Sequence, residues 1–229
     1  MCNMSYLWNE FNIKTMPAET LVYCNGLFRE DLSTITDCNI SKNYDLPVHI
    51  IYVGQIEREN TLNINITAEN QPVFLSVNIE NKNPAFLNIF IKNTGKNSEV
   101  RGHIMLKNYS DLVLKCDAQH LASNTGILIQ TKIIGLKDSF SKLSATAIIN
   151  KNCENVKSDI RFAGLIDKTA RLKFIPRQKI QSVPDSAEHS AYMFHPSDIQ
   201  INYLRNAGLA TNEIQDITTE AFMNDFNLF

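Results

Sequence analysis

Hydrophobic and polar side chains alternate through most of the chain between His49 and Ile175. A period of two is expected where successive side chains face opposite sides of a β-sheet. No part of this region has a convincing helical period. The clearest alternating segments are residues 62–66, 73–79, 87–91, 112–116, 127–133, 143–149, 160–162 and 172–174. The pattern therefore predicts a mainly β core of at least eight strands.

The spacing of these segments leaves two all-β architectures open. Their centres recur roughly every 8 to 17 residues, which is too irregular for a consensus solenoid but compatible with a degraded β-helix or a sandwich. The chain has only 8 glycines. Asparagine recurs at the breaks instead, and it tolerates the left-handed turn conformation that glycine usually takes. We therefore expect asparagine to form many of the turns.

The amino-terminal part predicts a hairpin. Residues 21–24 form a strand-like run, Asn25 and Gly26 both tolerate positive φ in a tight turn, and residues 27–28 continue on the other side. Residues 1–20 hold too few apolar side chains for a domain, so we expect a short lead packed on the core. The polar stretch 30–47 is expected to be an irregular connection.

Two short helices are predicted at the carboxyl end. Ser197 and Gln200 have the spacing of a capping box, and Gly208 suits the position after a helix, which places the first helix at about 197 to 207. The second helix should begin at Thr211 or Asn212. Its apolar residues Ile214, Ile217, Ala221, Phe222 and Phe226 fall on one helical face. Such a pair buries its apolar faces only against each other and a further surface, which is typical of a docking unit.

These patterns divide the chain into three parts. The alternation stops near residues 176–184, where we place the one domain boundary. We therefore expect a lead at 1–20, a β core at 21–184 and a helical unit at 185–229.

Composition and charge exclude several classes of protein. The formal net charge is −2 and the isoelectric point is near 6.2, and no block of five or six like charges occurs, so neither a nucleic-acid surface nor an anionic-membrane surface is indicated. No signal peptide or long apolar span is visible, and we expect a cytoplasmic protein. The 5 cysteines are widely spaced and lack a C-x-x-C pair, which excludes the usual ferredoxin motif and a disulfide framework.

Motifs for catalysis are missing. The sequence has no P-loop, no G-x-G-x-x-G, no H-E-x-x-H and no G-x-S-x-G. The histidines at 49, 103, 120, 189 and 195 show no paired H-x-H spacing, which argues against an iron-dependent enzyme of the cupin type. We expect the chain not to be an enzyme.

Two motifs carry a family resemblance. The run 203–209, YLRNAGL, is similar to F-Y-L-R-x-R-G-I, and it follows His189 and precedes the predicted last helix. The run 21–33, LVYCNGLFREDLS, is similar to V-F-V-[ND]-G-x-[FY]-x-x-x-L-S. Both motifs, in this order around an all-β stretch, resemble the SufB/SufD scaffold proteins of iron–sulfur cluster assembly. The chain looks like a shortened SufD-like member.

The resemblance implies a fold and a role. The core would be a right-handed parallel β-helix, and the protein would be a scaffold subunit of a SUF-type complex. Its β-helix would pair with a SufB-like subunit or a second copy, and its last helices would dock an ABC-type ATPase resembling SufC. The residues expected in this docking or its packing are Tyr203, Leu204, Ile214, Ile217, Ala221 and Phe222.

The resemblance also implies a tentative metal site. Residues 188–191, EHSA, look like the E-H-E-A of SufB and the S-H-G-A of SufD, where the histidine lies at the subunit interface at which a cluster is thought to form. His189 would then be a cluster or iron ligand, and Glu188 a further ligand or an orienting group. We expect no stably bound cofactor, but a transient iron–sulfur cluster.

Simpler interpretations stay open. His189 would equally suit a surface histidine at the end of the last strand, and His195 a loop residue. SufB and SufD are about twice this length, with an amino-terminal helical part that has no counterpart here. The alternative function is a β-solenoid or sandwich protein-binding module without an iron–sulfur role.

Overall fold

The computed structural model describes residues 19–24, 27–28, 31, 33, 48–56 and 61–224. Residues 1–18 of the lead expected at 1–20, and most of the connection at 30–47, lie outside these residues. The strands are β1 (Glu19–Cys24), β2 (Leu27–Phe28), β3 (Val48–Gly54), β4 (Thr61–Ala68), β5 (Pro72–Asn81), β6 (Ala85–Asn93), β7 (Glu99–Asn108), β8 (Asp111–His120), β9 (Gly126–Gly135), β10 (Phe140–Ile149), β11 (Lys157–Ile166), β12 (Arg171–Ile180) and β13 (Ser186–Met193). The helices are α1 (Asp198–Asn206) and α2 (Thr211–Asn224). All the segments predicted from alternation lie within strands.

The strands build a parallel β-solenoid. Sheet A has the order β13-β11-β9-β7-β5-β3-β1-β2 and sheet B the order β12-β10-β8-β6-β4. From β3 onward the chain crosses from one sheet to the other at each step, and each strand pairs in parallel with the strand one turn away. The β1–β2 hairpin is antiparallel, as predicted. The β-helix prediction is confirmed and the sandwich is excluded.

The interior is filled by rows of aliphatic side chains. Leu87, Leu114 and Leu143 are partners in one row across three strands of sheet B, and each is fully buried. Parallel, in-register stacking repeats the same alternation in every turn, because a shift by one residue would turn the apolar set outward. The alternation seen in the sequence thus determines which face each residue takes and excludes a register shift of one residue.

Asparagine has two separate roles. Asn70, Asn97, Asn124 and Asn152 adopt positive φ at the corners, which confirms the predicted turn role. Others are buried in the interior, where the Asn81 Nδ2 donates to the Asn108 Oδ1 at 2.8 Å and the Asn108 Nδ2 donates to the Ser141 Oγ at 2.7 Å. Such a ladder gives hydrogen-bond partners to amide groups that burial would otherwise penalise, although the described residues provide none to the Asn81 Oδ1. Its members were expected in turns, and the structure places them inside.

The solenoid runs further than the sequence indicated. Strand β13 pairs in parallel with β11, so the sheet continues past the expected boundary at 184 as far as Met193. No described strand lies beyond β12 or β13. The inward-facing side chains of these two strands therefore form an uncovered surface, which we call the open end.

The helix boundaries agree closely with the predicted ones. The Ser197 hydroxyl accepts from the Gln200 backbone, and the Gln200 side chain accepts from the Ser197 N–H at 2.9 Å, so the capping box is present. Gly208 has φ of 89°, a conformation that costs glycine little. Among the described residues, neither helix is long and apolar enough to cross a membrane.

Candidate partner-binding site

His189 lies on the open end of the solenoid. Its register partner is Ile160, which pairs in turn with Ile129, and both isoleucines point into the core. His189 thus continues an inward-facing row, but it is exposed because β13 is the last described strand of its sheet. A protein that covered this end would contact the imidazole directly.

Glu188 belongs to the opposite face of the same strand. Neighbouring strand residues point to opposite sides, and Glu188 is in register with the outward-facing Asp159. Its carboxylate lies 3.7 Å from the Arg161 guanidinium, whose Nε also donates to the Asp159 Oδ1 at 2.8 Å. The hydrogen bond and charge of Asp159, with the charge of Glu188, raise the pKa of Arg161 although burial acts the other way. The two tentative ligands are therefore placed apart, with Glu188 engaged by an arginine.

The described residues do not form a metal site by themselves. No group of three or more histidine, cysteine, aspartate or glutamate side chains comes together among them. The buried Cys116 lies in the core, and burial raises the pKa of its thiol to about 12. Cys153 is also buried, and its thiol faces the His120 carbonyl. An iron–sulfur cluster at His189 would therefore need its other ligands from outside the described residues.

Apart from Gln178, the inward-facing side chains of β12 are apolar. Phe174 stacks on the core residue Phe162 with ring centroids 5.4 Å apart, and it is only half-buried, as is Leu172. Ile180 at the end of β12 is 47% exposed, and Val183 in the following loop is 89% exposed. A row of apolar side chains that closes the core without a covering layer is a surface suited to another protein.

Helix α1 exposes two of its four apolar residues and leaves the other two half-buried. It buries none of its side chains, and Ile199 and Tyr203, one turn apart, are 81% and 73% exposed. Of the expected docking residues on this helix, Tyr203 is largely exposed and Leu204 is half-buried. Ile199 was not among the predicted residues, although its i, i+4 spacing to Tyr203 was readable in the sequence.

Some apolar residues of helix α2 are buried within the chain, and others are exposed to solvent. Ile214 and Phe222 are buried, whereas Ile217 and Ala221 are exposed. Phe222 packs against Ile134, Ala163 and Leu165 on the outer face of sheet A. The structure thus assigns Ile214 and Phe222 to packing within the chain, and it leaves Tyr203, Ile217 and Ala221 available to a partner.

A buried lysine holds the end of α2 against the sheet. Lys132 is fully buried, and its Nζ donates to the Phe222 carbonyl at 2.6 Å and lies 5.4 Å from the centre of the Phe222 ring. A cation at a helix carboxyl terminus satisfies a free carbonyl and interacts favourably with the helix dipole. Nothing in the sequence pattern singled out Lys132, because it lies at an outward position of β9, where a polar side chain is ordinary.

A cavity lies between the helices and the solenoid beside this anchor. It has a volume of about 450 Å³ and is lined by Ile134, Leu165, Ile201 and Ile214, with Arg205 among the polar groups. The helix pair is therefore anchored mainly through α2, with α1 held on the outside.

No protein-family model matches the sequence, and no curated protein matches it significantly.

Proposed function

We propose that the protein is a scaffold subunit of a SUF-type iron–sulfur cluster assembly complex, similar to SufD. Its helix pair docks an ABC-type ATPase resembling SufC, and its open end pairs with a second subunit. The chain holds and orients other components and catalyses no reaction alone. The two motifs described above supply the family resemblance on which this proposal rests.

One structural observation supports the proposal most. A rigid parallel solenoid ends in an uncovered turn, and the chain then passes directly into a helix pair whose outer surface exposes Ile199, Tyr203 and Ile217. Apolar residues on an anchored helix pair provide a partner with contact area at little ordering cost. An ATPase that moves while bound there would transmit force to the solenoid through the Lys132–Phe222 anchor.

His189 fits the role of a shared ligand better than that of a complete site. It stands on the open end, where a second subunit would cover it, and an imidazole nitrogen is a suitable ligand for iron. The nascent cluster is the cargo of the complex, so this chain need not hold it alone.

Co-purification with a SufC-like ATPase tests the docking. Tyr203→Asp places a charge on the exposed apolar surface and should reduce capture at least tenfold, because an unpaired charge buried in an interface costs more than the ~1.4 kcal/mol that a tenfold change represents. Asn202→Asp adds the same charge beside it, outside the proposed contact, and should leave capture unchanged. Failure of the intact chain to bind the ATPase would favour the binding module without an iron–sulfur role.

A further inference from the structure

Strand β12 is strongly basic, although the chain as a whole has a small negative net charge. Its sequence, RLKFIPRQKI, contains four cations and no carboxylate. The cations Arg171, Lys173, Arg177 and Lys179 are all exposed, and they share one face of the strand because they lie at alternate positions. A chain with a formal net charge of −2 thus ends sheet B in a strongly basic strand.

These cations are weakly neutralised by the rest of the fold. The described residues provide no ion pair to Lys173, Arg177 or Lys179. Arg171 lies over the Phe140 ring at 5.6 Å, which attracts the cation without cancelling its charge. By contrast, the outward Glu188 and Arg161 of sheet A face one another. The charge of β12 is therefore available to whatever lies beside it.

The arrangement of the charges is symmetric along the strand. The outward positions read Arg171, Lys173, Ile175, Arg177 and Lys179, with two cations on either side of Ile175. If two copies joined β12 to β12 in antiparallel fashion about a two-fold axis at Ile175, Lys173 would face Arg177 and Arg171 would face Lys179. Because the strand has no carboxylate, no other register gives an opposite-charge pair either. Like charges directly opposite one another destabilise strand pairing.

The free backbone edge of β12 also opposes promiscuous pairing. The Arg171 N–H points towards β10, since it donates to the Ser139 carbonyl just before the start of that strand. Backbone N–H groups of successive residues point to opposite edges of a strand, so the nitrogen of Pro176 lies at the free edge, where proline has no N–H to donate. Cations and proline on an edge strand both discourage strand pairing. Proline does so whatever strand approaches, whereas the cations of β12 disfavour only a strand that brings no carboxylates, as a second copy of β12 would. Joining β12 to β13 of a second copy would supply only one carboxylate, Glu188, against four cations.

We infer that the open end selects a different chain, one whose edge strand carries aspartate or glutamate at its outward positions, and rejects a second copy. This inference rests on the proposed function only in taking the open end as the pairing surface. Ile175, Leu172 and Phe174 provide the apolar contact, and the charges on either side of Ile175 determine which partner is accepted. Selection by charge falls as salt screens it, since the Debye length is ~10 Å at 0.1 M and ~3 Å at 1 M.

A charge-reversed copy serves as the acidic partner. In Lys173→Glu/Arg177→Glu, the two new carboxylates would face Arg177 and Lys173 of a wild-type copy. Sedimentation velocity at roughly 50 mM salt should show each protein alone as a monomer and an equal mixture as a dimer. The mixed dimer should bind at least about tenfold more tightly than either self-dimer, and the difference should fall towards 1 M salt.

The control variant reverses the same number of charges elsewhere. Lys107→Glu/Lys157→Glu changes two exposed lysines on sheet A and should form no dimer with the wild type. Circular dichroism of each variant checks that it is folded, and Lys173→Gln/Arg177→Gln offers a milder change that should itself begin to self-associate.

Each outcome decides the inference. A wild-type dimer at low salt, a mixture that stays monomeric, or mixing that the sheet A variant reproduces would overturn it. Binding of a single-stranded oligonucleotide that Lys173→Glu/Arg177→Glu abolishes, without a mixed dimer, would instead assign β12 to nucleic acid. A mixed dimer without ATPase capture would retain the inference and refute the docking proposal, and ATPase capture without a mixed dimer would do the reverse.

Discussion

The ammonium group of Lys132 on sheet A donates to the backbone carbonyl of Phe222 near the end of α2, 90 residues later in the chain, at 2.6 Å. The ring of the same Phe222 packs on Ile134, Ala163 and Leu165. One residue of the helix thus provides both an apolar and a polar contact with the solenoid. The carboxyl-terminal helix is consequently part of the folded body and is not a loosely tethered appendage.

Replacing the Phe222 ring should release this helix. Phe222→Ala removes a fully buried aromatic side chain, a change that typically costs ~4 kcal/mol. Hydrogen exchange across residues 211–224 should rise strongly, whereas exchange in β7 to β10 should change little. The control Ile217→Ala, at an exposed position of the same helix, should stay within about 0.5 kcal/mol of wild type. Equal protection of α2 in both variants would show that Phe222 does not anchor it.

The interior asparagine ladder should contribute to stability, unlike a similar pair on the surface. Asn108→Ala removes the partners of the buried Asn81 and Ser141 side chains and should lower the free energy of unfolding by about 1–3 kcal/mol. Asn88→Ala breaks an exposed bond to Asn63 of almost the same length, 2.9 Å, where water replaces the lost partner. Urea unfolding of both variants measures the contrast. Equal losses would mean that burial does not set the value of these bonds.

Stability should fall on acidification from neutral pH. Burial lowers the pKa of His120 to about 4, and burial with the nearby positive charge of His103 lowers that of His49 to about 4. The unfolded chain protonates these groups near their ordinary value of 6.5, so between about 6.5 and about 4 it binds more protons than the native state does. The stabilisation is thus complete above that window and lost as pH falls through it.

Unfolding measured across that window checks the assignment. His120→Gln keeps a polar side chain beside Thr125, the present partner of the imidazole at 2.8 Å, but cannot titrate. The slope of the free energy of unfolding against pH should therefore be shallower in the variant. An unchanged slope would mean that His120 does not resist protonation in the native state.

Replacing His189 and replacing Glu188 should have different effects in a cluster-assembly assay. Both are exposed, so His189→Ala and Glu188→Gln should each leave stability within about 0.5 kcal/mol of wild type. On the complex reconstituted with its partners, His189→Ala should reduce the yield of iron–sulfur cluster, measured by visible absorbance and bound iron. Glu188→Gln should not, because its carboxylate faces Arg161 on the other side of the strand. Undiminished yield with His189→Ala would leave that residue without a ligand role.

The strands were predictable because burial in this fold is one-sided and regular. Residues such as Leu112 and Leu114 point into the core at every second position, and the same alternation appears directly in the sequence. Strand β13 was missed for the opposite reason. Its inward positions Ala187, His189 and Ala191 lie at the uncovered end of the solenoid. They are not enclosed by a further turn, so they do not need to be large apolar side chains.

The helices show where the local pattern stops being informative. Ser197, Gln200 and Gly208 determine the helix ends through contacts within a few residues, and such contacts can be read from spacing. The apolar face of α2 was also visible, but the division between buried Phe222 and exposed Ile217 was not. That division depends on which part of sheet A lies beneath the helix.

By itself the sequence determined the β class, most of the strand positions, the hairpin at the amino end and the two helix starts, because each depends on periodicity or on neighbours a few residues away. Only the tertiary structure decided between solenoid and sandwich, since alternation is the same in both. It also decided that Lys132 meets Phe222 and that four cations form the unpaired edge of sheet B. The first joins two residues far apart in the chain, and the second depends on which strand lies at the end of the sheet. Neither can be read from the spacing of residues along the sequence.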